Sequence, residues 1–256
     1  MGDVVGSPGR ETLKRCLPMA RDQYKIDACI ANGENAAGGF GLTVLTAEEM
    51  FETGVDFITS GNHILDKRDF KSYLETSERV IRPVNYPPGV PGKGTGTFSV
   101  NGCAIGVINV MGRTFMPPVD DPFRSVDAAL ANLSAEAHII VVDVHAEATS
   151  EKMALGRYLD GKVAAVYGTH THVQTADEHI MPGGTAYISD LGMTGPTEGI
   201  IGMESEAVLD RFITGFSDRF SVEKAGTKQF CAAVVTIDVD SGRATEIKRI
   251  FQRGIA

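Results

Sequence analysis

Short apolar, β-branched runs alternate with segments of helical period along most of this chain. Apolar positions three or four apart mark a helix with one buried face, and short apolar runs between turn residues mark strands. The pattern predicts strands over 26–31, 57–60, 104–110, 139–144, 164–167 and 186–189. It predicts helices over 11–22, 46–53, 125–132, 150–159 and 204–214. Strands alternating with helices imply an α/β layered fold. Near the end, 229–238 and 244–252 flank Asp240-Ser241-Gly242, which predicts an antiparallel hairpin. The Pro- and Gly-rich stretch 87–96 is expected to be an ordered surface loop, because strand patterns resume directly after it. With no repeat and no low-complexity segment, residues 1–256 read as a single domain.

One place breaks the pattern. Gly2-Asp3-Val4-Val5-Gly6 looks like the loop after a strand, yet only Met1 precedes it. Such a strand normally supplies about five residues. Either the start is assigned too late or the first strand is lost, and Asp3 is then expected to be poorly anchored.

Composition narrows the function less than charge does. A chain of 256 residues with 43% hydrophobic and 22% charged residues is an ordinary globular protein with a sizeable core. Its net charge of −9 opposes broad nucleic-acid binding and attachment to anionic membranes. A phosphate-bearing substrate stays open, because bound cations reverse the local sign. Cys16, Cys29, Cys103 and Cys231 lie far apart without a CxxC pair, and are expected to be reduced thiols of the core. No apolar run reaches the roughly 18 residues of a membrane span. No signal peptide is visible, and Gly6 stands where a myristoylation motif needs Ser or Thr. A cytoplasmic location is therefore expected, with oligomeric state left open.

The histidines carry the chemistry. Four of six sit in the runs Gly61-Asn62-His63, Asp143-Val144-His145 and Gly168-Thr169-His170-Thr171-His172. Each run follows an apolar stretch, and so falls at the carboxyl end of a predicted strand, where open α/β sheets bind ligands. His170 and His172 are two apart and in extended chain point the same way. Asn62 offers a neutral oxygen beside an imidazole. Glu34-Asn35 follows another strand and precedes a glycine-rich loop that lacks the Lys and spacing of a Walker sequence, so Glu34 is read as a carboxylate able to bridge two metals. His138 and His179 have no motif partners and are expected to be structural. Arg113, Arg124 and Lys152 are expected to be solvated cations. The candidate ligands are then Asp3, Glu34, Asn35, Asn62, His145, His170 and His172. Seven ligands exceed one tetrahedral zinc and suit two metal ions with open positions. Two divalent ions outweigh the charges of Asp3 and Glu34, so the site stays positive and favours phosphate.

In this order, the motifs resemble a calcineurin-type metallophosphoesterase, and most closely its bacterial YmdB-type branch. They are Gly2-Asp3-Val4-Val5-Gly6, Asn32-Gly33-Glu34-Asn35 with the glycine-rich loop, Gly61-Asn62-His63, the run from Asp143 to Lys152, Gly168-Thr169-His170-Thr171-His172-Val173, and the late Asp190-Leu191-Gly192-Met193-Thr194-Gly195-Pro196. The wider superfamily usually has His at the position of Val5, Asp at that of Glu34 and an acidic residue at that of Ile64. These departures are typical of the YmdB-type branch, where an Asn after the bridging Glu replaces the missing ligand. The resemblance implies an α/β fold, a four-layer α-β-β-α sandwich with two mixed sheets. It implies one metal on Asp3, Glu34, Asn35 and His172 and a second on Glu34, Asn62, His145 and His170, with iron or manganese the expected ions. It also implies a phosphodiesterase acting on small phosphodiesters such as 2′,3′-cyclic or 3′,5′-cyclic nucleotides. A phosphomonoesterase and a metal-bound regulatory or RNA-binding protein with little turnover are the rival readings. His63, beside the ligand Asn62 and not needed as one, is expected to be the catalytic general acid.

Overall fold

The computed structural model describes residues 1–216 and 219–256. In chain order its elements are β1 (Asp3–Val4), α1 (Gly6–Tyr24), β2 (Ile30–Asn32), α2 (Val44–Glu52), β3 (Phe57–Thr59), α3 (Lys71–Thr76), β4 (Thr95–Val100), β5 (Cys103–Met111) and α4 (Pro122–Leu133). There follow β6 (Ile139–His145), α5 (Thr149–Leu159), β7 (Ala165–Thr169), β8 (His179–Ile180), β9 (Ala186–Ile188), β10 (Met193–Pro196), α6 (Ser205–Thr214), β11 (Lys228–Asp238) and β12 (Arg243–Ile255). One sheet has the order β12-β11-β10-β1-β2-β3, the other β4-β5-β6-β7-β9-β8. Both are mixed: β10, β1, β2 and β3 run parallel, as do β5, β6, β7 and β9, with antiparallel strands outside them.

Strand β6 shows how sequence builds the layers. Ile140, Val142 and Val144 pack with Val126, Leu130, Leu155 and Leu159 of helices α4 and α5. Ile139 and Val141 point the other way, into an apolar layer shared with Phe57 of β3 and Ala244 of β12. Period-two alternation thus gives the strand one helix-facing and one sheet-facing side. Helices α1 and α2 cover the other sheet, with Leu13, Leu17 and Met50 against Val4, Ala31 and Ile58. The result is the expected four-layer α-β-β-α sandwich. Asp143 and His145 continue the inward-facing parity of Ile139 and Val141, which brings both side chains to the rim between the sheets.

The amino terminus corrects an expectation. Asp3 is firmly anchored, although β1 is only two residues long. It lies between two parallel neighbours, pairing with Met193 and Asn32. The Asp3 N–H donates to the Gly192 carbonyl at 3.0 Å and the Val5 N–H to that of Thr194 at 3.0 Å. Central position supplies what strand length does not. Other boundaries moved for local reasons. Helix α1 begins at Gly6, before the predicted 11, because Pro8 falls in the first turn, where its missing N–H has no intrahelical partner to lose. Strand β2 begins at Ile30 rather than 26: Lys25 ends α1 in the left-handed region, and Ile26 packs against the core without joining the ladder. Strand β4 takes the last two residues of the expected 87–96 loop. The four cysteines are free, and three are buried. No helix among the described residues is long and apolar enough to cross a membrane.

Candidate metal centre

The seven candidate ligands arrive from five strands at one rim. Asp3 lies in β1, Glu34 and Asn35 follow β2, Asn62 follows β3, His145 ends β6, and His170 and His172 follow β7. Asn32 closes β2 and accepts the Glu34 N–H on Oδ1 at 3.1 Å, which turns Glu34 into the site. Glu34 Oε1 lies 3.1 Å from His145 Nε2, and Oε2 accepts the His63 N–H at 2.9 Å. His145 Nε2 is also 3.0 Å from Asn62 Oδ1 and 3.1 Å from His170 Nδ1. One point is therefore surrounded by carboxylate, amide and two imidazoles. Gly61 makes room for this: a Cβ there would sit 2.2 Å from the His145 ring.

A second group adjoins it. His172 Nε2 lies 3.8 Å from Asp3 Oδ1. Asp3 Oδ1 is buried without a hydrogen-bond partner, and so is Asn35 Oδ1. The Asn35 amide donates to the Gly39 carbonyl at 2.9 Å, so the glycine-rich loop orients Asn35 and leaves its oxygen free. Buried unpaired oxygens normally cost about 1–3 kcal/mol each. A cation accepted by both would remove that cost, so the residues present fit the two-metal set.

The ring nitrogens are assigned by their outer partners. His145 Nδ1 meets Thr169 Oγ1 at 2.9 Å, and that hydroxyl donates to Asp143 Oδ1 at 2.7 Å. His172 Nδ1 donates to the Ile201 carbonyl at 2.8 Å. His170 Nε2 lies 3.3 Å from Glu147, which leaves Nδ1 turned inward. Such outer contacts fix which nitrogen faces a metal.

Charges couple strongly here. Burial pushes Asp3 up to about 6 against the pull of His172 and His145. Burial also opposes the charge on Glu34, but His145 and His63 outweigh it and hold that carboxyl at about 2. His145, despite burial, is lifted to about 9 by Glu34, Asp3 and Asp143. His170 is held down to about 3 by burial and by the neighbouring His145. Carboxylates and imidazoles are thus crowded into one buried cluster, the environment in which a multivalent cation competes well.

His63 stands at the edge and is partly buried. Its Nδ1 meets Asp66 Oδ2 at 2.8 Å, and Phe40 packs edge-on with ring centroids 4.9 Å apart. Outside the cluster, His138 and His179 bond to the carbonyls of Asp240 and Asp177. Arg113 pairs with Asp121, and Arg124 is exposed. Lys152 is a correction: it is buried, with Nζ 2.6 Å from Asp190. Its position at the start of an amphipathic helix looks solvated in sequence, whereas the fold turns it inward. Sequence reasoning gave no role to Asn32, Asp66, Asp143, Glu147 and Thr169. All but Asp66 stand inside the quoted motifs, and Asp143 also shares a strand face with His145 at two-residue spacing.

Comparison with known proteins places the whole chain among relatives. A Bacillus subtilis protein named 2′,3′-cyclic-nucleotide 2′-phosphodiesterase is 48% identical over 251 residues, covering 98% of this chain and 95% of that protein. A hypothetical protein from Thermus thermophilus superposes with a TM-score of 0.91 at 44% identity, covering 99% of this chain and 97% of its own. A structure described as a novel phosphatase of Mycoplasma pneumoniae does so with a TM-score of 0.91 at 33% identity, covering 98% and 91%. Residues 1–250 match the family described as YmdB-like protein, and the chain belongs to that family.

Proposed function

We propose that this chain is a phosphodiesterase that uses two metal ions to hydrolyse small phosphodiesters, cyclic nucleotides among them. The supporting observation is the convergence of seven ligand residues on one rim, with Asp3 Oδ1 and Asn35 Oδ1 buried and unpartnered. Asp3, Glu34, Asn35 and His172 would hold one ion, and Glu34, Asn62, His145 and His170 the other. Mixed carboxylate, amide and imidazole donors suit iron or manganese. When bound, such ions acidify a water and neutralise charge on the phosphoryl oxygens.

The chain's own groups do the rest. Glu34, held by His145 on Oε1 and by the His63 N–H on Oε2, is the carboxylate that both ligand sets would share. His63 sits outside both sets, with its Nδ1 on Asp66 and Nε2 left for substrate. In this reading it gives a proton to the departing alkoxide oxygen, a contribution of roughly 10²–10⁴-fold. The Bacillus relative is named for a 2′,3′-cyclic substrate, which favours a cyclic diester here. The phosphatase description of the Mycoplasma structure keeps monoesters as the second reading. We place residues 1–256 in one domain, and the free cysteines suit a reducing cytoplasm.

The test is a substrate panel on manganese-loaded protein: 2′,3′-cyclic AMP, 3′,5′-cyclic AMP, a nitrophenyl diester and a nitrophenyl monoester. The diesters should give the higher kcat/KM. Monoester turnover exceeding every diester would select the second reading, and no turnover on any would reject both.

A further inference from the structure

The two histidines of the His170-Thr171-His172 run have φ of 99° and 65°, in the left-handed region that side chains other than glycine rarely adopt. Such conformations persist only where the surroundings over-determine them. The surroundings here converge on one carboxylate. Asp190 Oδ2 accepts both the Thr171 N–H at 3.2 Å and the Thr171 hydroxyl at 2.8 Å. Thr171 is the residue between the two histidines, so a single oxygen grips the loop at its midpoint.

Asp190 is itself immobilised. Its Oδ1 accepts the Gly192 N–H at 2.8 Å. Its Oδ2 takes Lys152 Nζ at 2.6 Å, with Asp190 only 1% and Lys152 only 2% exposed. Gly168, just before the loop, is what allows this approach: a Cβ there would lie 1.8 Å from the Ser189 carbonyl oxygen and 2.8 Å from Lys152 Cδ. Helix α5, the His loop and the β9–β10 connection thus meet at one ion pair.

We propose that Lys152, Asp190 and Thr171 form a clasp that holds His170 and His172 in their ligand positions. The three are positioning residues: they touch the loop, and the loop carries the ligands. The inference rests on the two-metal reading, in which the histidines serve different ions. It therefore has a signature of its own. Loosening Thr171 weakens both ions together, whereas losing a contact to one histidine, such as Glu147 on His170, weakens one.

The experiment titrates manganese into metal-stripped protein by calorimetry and measures Tm without metal. Wild type is compared with Thr171→Val, Thr171→Ser and Lys152→Met. Thr171→Val should keep its metal-free Tm within about 2 °C of wild type. It should bind both ions about tenfold more weakly, the low end for an outer contact to a ligand. Thr171→Ser, which keeps the hydroxyl, should restore affinity. Lys152→Met should lose more, up to about 100-fold; where it fails to fold, the threonine pair decides. Folded Thr171→Val that binds both ions like wild type, or Thr171→Ser as weak as Thr171→Val, overturns the clasp and leaves the site reading intact. Wild type that binds no manganese overturns the site reading and the clasp with it.

Discussion

Glu34 and His63 are neighbours in space, joined by the His63 N–H, yet they should fail in different ways when replaced. Glu34→Gln keeps the shape and removes the charge that the proposed ligand sets would share. Metal and activity should fall together, by on the order of 10²-fold or more. Elemental analysis beside turnover checks this, and full metal occupancy with full activity would sink the bridging role. His63→Ala should keep both ions. It should slow substrates with alkoxide leaving groups most and nitrophenyl esters least, since a nitrophenolate leaves without a proton. Equal losses on both substrates, or a lost ion, would show that His63 has another job. At this scale six of the seven candidate ligands stand out because each sits in a short run at the end of an apolar strand, whereas Asp3 has only Met1 and Gly2 before it and is picked out by its motif. The roles of Asn32, Thr169 and Asp190 were not legible. Asn32 faces Asp143 across 111 positions of sequence, and only the folded pair of sheets brings them within 3.3 Å.

Elements were legible where burial is continuous or cleanly periodic, as in β6, whose seven residues are all buried. They were illegible where tertiary contacts override composition. Strand β10 reads Met193-Thr194-Gly195-Pro196, a poor strand by propensity, and forms because β1 and β11 pair with it on either side. Helix termini give a cleaner test. Asp121 caps α4, accepting the N–H groups of Phe123 and Arg124, each at 3.0 Å. Asp121→Ala should cost about 1 kcal/mol at neutral pH by denaturant titration. The Arg124 N–H above all, then Arg113 and the Phe123 N–H, hold the Asp121 carboxyl below its ordinary 3.8. A folded-state pKa lowered this way gives stability that is full above 3.8 and is lost as pH falls through the lower, folded value. The penalty of Asp121→Ala should therefore shrink on acidification below 3.8. A penalty that stays constant down to pH 2 would mean that the carboxylate is not the cap.

For the whole molecule the question is what the metals hold together. Three apolar clusters carry the layers: helices on one sheet, helices on the other, and the seam between the sheets. The candidate ligands lie at the rim of that seam, at strand ends that backbone ladders already fix. Removing metal should therefore leave the protein folded, unlike a small zinc domain whose fold depends on its ion. Loading should still stabilise it, because a site built from five separated strands exists only in the folded chain. Ligand at about 100 times its Kd adds about 2.7 kcal/mol for one site. For a chain of this size each kcal/mol moves Tm by roughly 2–4 °C. One site filled at that level should raise Tm by about 5–10 °C over protein held in chelator, and a second should raise it further. Circular dichroism at 25 °C should be the same in both states. Scanning calorimetry with and without manganese measures the shift, with the chelated sample as reference. If chelator unfolds the chain at 25 °C, the rim holds the sheets together and the seam does not. If manganese leaves Tm unchanged while activity is restored, the ions bind without help from the folded arrangement, and convergence of the strands on one point is not what makes the site.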